Sequence, residues 1–460
     1  MRRVCAFVVC FAVVGAAADD NRPLGERTRQ YLSDLVRLDT TNPPGNETRV
    51  AQYLKQVADA HGIVCELLGD PNRLNFVARL KGTGKGRPLL LMAHSDVVPA
   101  DRKQWTADPF SGMLTNGFIY GRGTQDDKSL LAAELAVLVE IKRRKIQLGR
   151  DIILLSESDE EAGSTGIEWL IAHQYPKIDA EFALNEGGSI IETKDGPHVF
   201  EVQVLEKIPT RVVLTAKGTA GHGSLPRADN AIVRLSHAII KLSDGDEQIK
   251  LNPTTRRYLR ELSNLTEYAW LAPIRRKLDD PATVAAAAAQ IRAKDPELDA
   301  LLHTTVSPTM LTAGFKINVI PNTAEAQIDV RRMPSETREE VLARFKQIIN
   351  DPEVDVALAP GQQMPSTEPS AMTTPLYMAM QRAISHMYPR DIVTPFMSRG
   401  ATDGSYLRAK GMAVYGAPIF LREGGESRAH GNDERISPKN LEDGVELLWQ
   451  IVLEAAGSGT

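Results

Sequence analysis

The sequence is poor in cross-links, in aromatic side chains and in any excess of charge. Only three cysteines occur in 460 residues, Cys5, Cys10 and Cys65. That is too few for a disulfide framework, so stability has to come from core packing. Aromatic residues make up 5%, and 54 basic side chains nearly offset 59 acidic ones for a net charge of −5. So mild a balance offers no electrostatic footprint for nucleic acid and no reason to seek a strongly anionic membrane surface. No apolar run reaches the ~20 residues that a bilayer span requires, and no internal repeat is visible. What is present is an ordinary soluble composition, 42% hydrophobic and 25% charged, in a chain long enough for two or three domains.

The amino-terminal residues read as an export signal. Met1-Arg2-Arg3 is basic, Val4 to Val14 is almost wholly apolar, and Ala16-Ala17-Ala18 supplies small residues before Asp19. A charged start, a short apolar core and an A-x-A-like exit describe a secretory signal peptide, residues 1–18, cut after Ala18. The expected location is therefore periplasmic or secreted. Cys5 and Cys10 leave with the signal, and Cys65 is left alone.

Three short apolar runs follow, Pro88–Ala93, Ile152–Leu155 and Phe182–Leu184. Each has the continuous pattern of a strand buried on both faces. Between the first two, Leu130, Leu131, Leu135, Leu138 and Ile141 recur at helical spacing, which predicts a covering helix over about 128–144. The alternation predicts an α/β domain with a mixed, mostly parallel sheet and helices on both faces, built from residues 19–207 and 366–460. From about 208 to 365 the texture changes to alternating strands (211–217, 309–314, 323–331) and amphipathic helices (228–243, and 336–350 starting from Ser335). This is the pattern of an inserted two-layer α+β domain. A charged, alanine-rich stretch at about 245–305 reads as a helical insertion within it. Ser437 followed by Pro438 marks the start of the last helix, running to about Ala455.

Each of the three buried runs ends in side chains able to bind metal: His94-Ser95-Asp96, Ser158-Asp159-Glu160-Glu161 and Asn185-Glu186-Gly187-Gly188. Sites in open α/β sheets form at the carboxyl ends of strands, so these clusters should converge. Gly121-Arg122-Gly123-Thr124-Gln125-Asp126-Asp127-Lys128 leads into the covering helix, and Arg428-Ala429-His430-Gly431-Asn432-Asp433-Glu434 lies far downstream. Acidic residues and histidines without cysteine favour zinc, or cobalt or manganese. Gly82-Thr83-Gly84-Lys85-Gly86 is a decoy for a phosphate loop, because it precedes a strand where a nucleotide loop would follow one.

Taken in order, H-S-D-V-V-P, G-R-G-T-Q-D-D-K, S-D-E-E, N-E-G-G and a late A-H-G resemble the M20 metallopeptidases, a family that includes aminoacylases, glutamate carboxypeptidases and succinyl-diaminopimelate desuccinylase. The resemblance spans nearly the whole mature chain and implies a zinc-exopeptidase-like fold with a lid or dimerisation domain. It implies two divalent metal ions, one on His94 and Glu186, the other on Glu161 and His430, with Asp126 bridging and Asp127 as the runner-up for that role. It further implies a cis peptide after Asp126, Asp96 orienting the His94 ring, and Glu160 as general base. In the lid, His222 of the G-x-x-x-H segment would donate to the oxyanion, often from a dimer partner. Asn318 and Arg331 would bind the substrate's free carboxylate, with Arg332 as the alternate. Thr402-Asp403-Gly404 resembles a segment near the substrate pocket. The enlarged second domain puts the usual homodimer in question.

The activity so implied is hydrolysis of an amide next to a free carboxylate. It would act on short peptides as a carboxypeptidase or dipeptidase, or alternatively on N-acyl amino acids. A non-catalytic binding protein of the same fold is the remote alternative, disfavoured because Glu160 and all five ligands are retained.

Overall fold

The computed structural model describes residues 22–458 except Asp195, Asp246, Glu247, Gln362 and Glu426. The signal-peptide reading of 1–18 therefore lies outside the described residues. The three apolar runs occupy strands Gly86–His94, Arg150–Glu157 and Phe182–Asn185. They lie side by side and parallel in the middle of a nine-stranded sheet, with Gly86–His94 between the other two. Leu91 is level with Leu154 on one side and Leu184 on the other.

Alternate residues feed opposite faces. Leu89, Leu91 and Ala93 join the core with helices Leu24–Arg37, Lys128–Arg144 and Pro438–Ala456, whereas Leu90 and Met92 pack with Ile167, Leu170 and Leu407. This period of two, with both faces covered, is why the strands read as unbroken apolar runs. Toward its margins the sheet becomes antiparallel, at Val64–Asp70 and Arg73–Leu80 on one side and where Val199–Glu206 meets Ala413–Gly416 on the other. The covering helix has the predicted bounds, Lys128–Arg144, and Ser437 caps the last helix by accepting from the Asn440 N–H at 3.1 Å.

The second unit is a four-stranded antiparallel sheet in the order Thr305–Ala313, Thr323–Arg332, Ile208–Lys217, Val354–Leu358. Helices Ala231–Ser243 and Arg338–Ile349 cover it through a separate core that includes Val212, Leu235, Ile328 and Phe345. The second helix starts later than Ser335, because Thr337 and Glu340 form a reciprocal capping box that satisfies the first free N–H groups there.

The insertion departs from expectation. Its helices, chiefly Pro253–Leu262 and Val284–Lys294, do not enlarge the core of the second unit. Tyr258, Leu259, Leu262, Ile291 and Leu302 belong to the core of the large domain, and the Tyr258 ring packs at a 60° tilt with its centroid 5.1 Å from that of Phe396 in the edge strand Ile392–Ser398. The lid sheet already has its apolar face covered by two helices, while the large sheet ends on an edge strand that needs protection. The insertion serves the second need. Lys207 marks the crossing between units: its backbone N–H donates to the Ser398 carbonyl, and its buried ammonium donates to Ala300 O, His303 O and Thr305 Oγ1.

Leu259→Ala should therefore cost about 2–5 kcal/mol of global stability, as a truncation inside a packed core does. Denaturant titration checks this, and a loss under about 1 kcal/mol would mean that the insertion is a peripheral appendage.

Candidate metal centre

Because the three central strands run in the same direction, their carboxyl ends deliver donors to one edge. His94 is the last residue of its strand, Glu160 and Glu161 follow Arg150–Glu157, and Glu186 follows Phe182–Asn185 directly. Asp126 stands in the turn before Lys128–Arg144. His430 is brought in because the strand after it, Arg435–Ile436, pairs with Phe118–Tyr120. Asp126 spans both histidines: Oδ1 lies 2.9 Å from His94 Nε2 and Oδ2 lies 3.2 Å from His430 Nε2. His430 Nε2 is also 3.1 Å from the Glu161 carboxylate. Donor atoms of His94, Asp126 and Glu161 lie within 4.8 Å of one another, as do those of His94, Glu160 and Glu186. The Asp126–Asp127 peptide is cis, and both Asp159, next to Glu160, and His430 adopt left-handed backbone conformations (φ 69° and 62°). Such conformations in non-glycine residues concentrate where a site dictates backbone shape.

The charges here are out of balance. Burial, reinforced by neighbouring carboxylates, pushes Glu160, Glu186 and Asp127 well above the usual carboxylate range. The Asp127 Oδ2 atom is buried without a hydrogen-bond partner. Burial opposes the charge on His94, but its bonds to Asp126 and Asp96 and the nearby Glu186 hold its pKa well above normal. Hydrogen bonds to Asp126 and Glu161 raise His430 to about 10. A buried cluster with more carboxylates than cations is costly unless positive charge is added. The donor set, carboxylates and imidazoles without thiolate, fits divalent metal.

The supporting side chains are buried as well. The carboxylate of Asp96 accepts from the backbone N–H groups of Glu160 and Glu161, both at 3.1 Å, and from Asn42 at 2.7 Å. Its contact to the His94 ring is made more closely by its carbonyl oxygen (3.0 Å from Nδ1) than by its carboxylate (3.5 Å). It thus positions the Glu160-Glu161 turn as much as the ring. Behind it, burial pushes Asp403 up to about 8, with Asp96 adding repulsion, and the Thr402 hydroxyl is tied to Asn185 and Glu206.

Sequence reasoning missed Glu434. Its carboxylate is fully buried and accepts from the backbone N–H groups of Gly123, Gln125 (2.7 Å) and Asp126 (3.1 Å), while pairing with the Arg122 guanidinium at 2.6 Å. Arg122 in turn donates to the His430 carbonyl. One anion thus ties together the turn bearing Asp126 and the loop bearing His430. The signal was present as the acidic end of the A-H-G-N-D-E run, but an Asp-Glu pair in a loop is usually solvated.

Three expected residues are not brought to this cluster. His222 is exposed on the lid, and its ring bonds Ser224 at 2.7 Å. Asn318 is exposed beside it, its carbonyl accepting from Gly223. Arg331 pairs with Asp329 on its own strand at 2.8 Å, and Arg332, the alternate, is buried, with Thr210 and Ser366 hydroxyls among its partners. The Gly82–Lys85 segment is a turn bonded to Leu148 and Gly149, as expected of a decoy.

Asp126 and Glu186 stand in the wall of a cavity of about 380 Å³ that also includes Leu130, Phe396, Ile419 and Phe420. Carboxylates and imidazoles gathered at the end of a parallel sheet, opening on such a cavity, define a metallohydrolase. Residues 90–454 match the family model described as Peptidase family M20/M25/M40. The chain is 30% identical over 376 residues to human N-fatty-acyl-amino acid synthase/hydrolase PM20D1, covering 80% of this chain and 74% of that one. An M20 family metallo-carboxypeptidase from Sulfolobus solfataricus shares the fold at a TM-score of 0.70 (20% identity, 93% of this chain and 98% of that one). So does a dinuclear metal binding peptidase from Bacillus subtilis, at 0.57 (14% identity, 94% and 98%). The chain belongs to peptidase family M20.

Glu434→Gln keeps the side-chain shape but removes the anion and sets an amide N–H among three backbone donors. Calorimetric zinc titration should show affinity lowered about 10–100-fold, the usual effect of losing such a supporting partner, and unaltered affinity would remove Glu434 from the site's architecture.

Proposed function

We propose that this M20 metallohydrolase cleaves an amide bond next to a free carboxylate, with N-acyl amino acids as the first substrate class and short peptides as the second. The observation that carries the reading is the convergence of His94, Asp126, Glu160, Glu161, Glu186 and His430 beside a single cavity. The order of substrates is supported by the similarity to an N-fatty-acyl-amino acid synthase/hydrolase.

In this reading His94, Asp126, Glu161, Glu186 and His430 would hold two divalent cations, zinc in the first instance, and Asp126 touches both histidines. Such cations would supply Lewis acidity to the scissile carbonyl. Two carboxylates of the cluster, Asp127 and Glu160, stay outside that set, and the general base is assigned to Glu160. It takes the proton from water as the C–O bond forms and delivers it to the amide nitrogen as the C–N bond breaks, giving a carboxylic acid and a free amine. The bond from its backbone N–H to Asp96 fixes the turn that sets its carboxylate beside His94 and Glu186. His222 is assigned to the developing oxyanion, and its place on the exposed lid suits delivery from a second copy. Asn318 and Arg331 approach the substrate carboxylate from the lid.

Glu160→Ala should retain zinc and lose about 10²–10⁴ in kcat on an N-acyl amino acid, the usual contribution of a general base. Wild-type turnover in that variant, with metal content unchanged, would remove the proposed base. Export is the second part of this reading, resting on Met1 to Ala18. Chain recovered from the periplasm or medium should begin at Asp19 on amino-terminal sequencing, and an intact Met1 start would refute it.

A further inference from the structure

The cavity beside the cluster carries two arginines that the reading above leaves without a task, Arg399 and Arg422. Their partners differ. Arg422 is held by the buried Glu201 at 3.8 Å. Arg399 follows the edge strand Ile392–Ser398, and its guanidinium is met at 2.6 Å by Glu297, whose side chain is 68% exposed against 31% for the arginine. Glu297 lies on the short helix Pro296–Asp299 of the insertion, so the pair joins the docked insertion to the cavity rim. An ion pair with one partner so accessible is worth little by itself and exchanges readily for another carboxylate.

Arg399 is also placed next to the substrate-binding arginine expected of the lid. Lys207 donates its backbone N–H to the Ser398 carbonyl, the residue before Arg399, while Pro209, two positions along, is paired across the lid sheet with Arg331. Both guanidinium charges act on the Lys207 ammonium, which burial and these neighbours depress to about 7. The two arginines therefore flank one crossing segment, one from each domain, and Leu130, Phe396, Ile419 and Phe420 line the same cavity as Arg399.

We propose that Arg399 is the large-domain half of the substrate-carboxylate site. The amino-acid half of the substrate enters the cavity with its side chain on the apolar wall and its free carboxylate on Arg399, and Glu297 occupies that guanidinium until the substrate displaces it. The planar fork of arginine grips a carboxylate by two charge-assisted bonds, and an internal glutamate is the natural placeholder for such a ligand. This rests on the amide-hydrolase reading, and it assigns specificity to a residue outside the lid.

The test is steady-state kinetics of the zinc-loaded chain on an N-acyl leucine and its C-terminal amide, beside equilibrium binding of free leucine by calorimetry. Arg399→Gln should raise KM for the acid about tenfold or more with kcat within about threefold, leave kcat/KM for the amide unchanged, and weaken leucine binding in parallel. Glu297→Gln should act in the opposite direction, lowering KM for the acid about two- to fivefold. An unchanged acid KM in Arg399→Gln, or equal losses on acid and amide, overturns the assignment. If the wild type hydrolyses neither compound nor a leucine-terminated dipeptide, the amide-hydrolase reading fails instead, and leucine binding that is lost in Arg399→Gln still upholds the anion site, whereas binding indifferent to both substitutions refutes it.

Discussion

The constraint on which this molecule turns is the concentration of carboxylates at one edge of a parallel sheet. Three neighbouring strands end together and aim Glu160, Glu161 and Glu186 into the same small volume as Asp126 and Asp127. Among the described residues, His94 and His430 are the basic side chains that stand with them. In a poorly solvated place such a group cannot all be ionised, and the raised pKa values of Glu160, Glu186 and Asp127 express that conflict. The remedy is external positive charge, and the surrounding structure keeps the donors from rearranging to escape one another. Asp96 pins the Glu160-Glu161 turn through two backbone N–H groups, and Glu434 pins the Asp126 turn through three. Asp96 is itself held as an anion, so its part in this rigidity deepens the demand for cations, whereas the Arg122 guanidinium already balances Glu434.

Much of this was legible in the chain because the relevant signals are local. Buried parallel strands read as apolar runs, and a helix with apolar residues at the right spacing announced itself between Lys128 and Arg144. Donors placed at strand ends needed only the direction of the strands to be brought together. What the sequence concealed is what depends on distant surfaces. The helix Pro253–Leu262 is amphipathic wherever it docks, and nothing local says that its stripe meets Phe396 of an edge strand over a hundred residues onward and not the lid next to it. Glu434 looked like a solvated loop acid because its partners, the N–H groups of 123–126, lie some three hundred residues earlier. The Arg331 motif points to a substrate carboxylate, and in the structure the guanidinium pairs with Asp329 of its own strand.

The relation of the two domains follows from one buried lysine. Lys207 sits where the chain leaves the large sheet, and its ammonium is spent on carbonyls of Ala300 and His303 and on the Thr305 hydroxyl. Those acceptors lie where the insertion ends and the lid strand Thr305–Ala313 begins. A single side chain therefore fastens the outgoing crossing, the tail of the insertion and the edge of the lid. Lysine suits this because its ammonium carries three donors on one nitrogen, one for each acceptor.

That fastening gives the insertion a consequence beyond covering an exposed strand. Once the helices dock on Ile392–Ser398, the last of them has to lie against the residues that follow the strand, and this is how Glu297 reaches Arg399. The same docking that protects the sheet edge sets a carboxylate at the cavity rim, on a guanidinium close to the metal cluster. A chain with the same catalytic residues but a shorter insertion would keep the chemistry and lose this competitor. Selectivity for the carboxylate end of a substrate would thus be set by the part of the sequence that carries no catalytic residue.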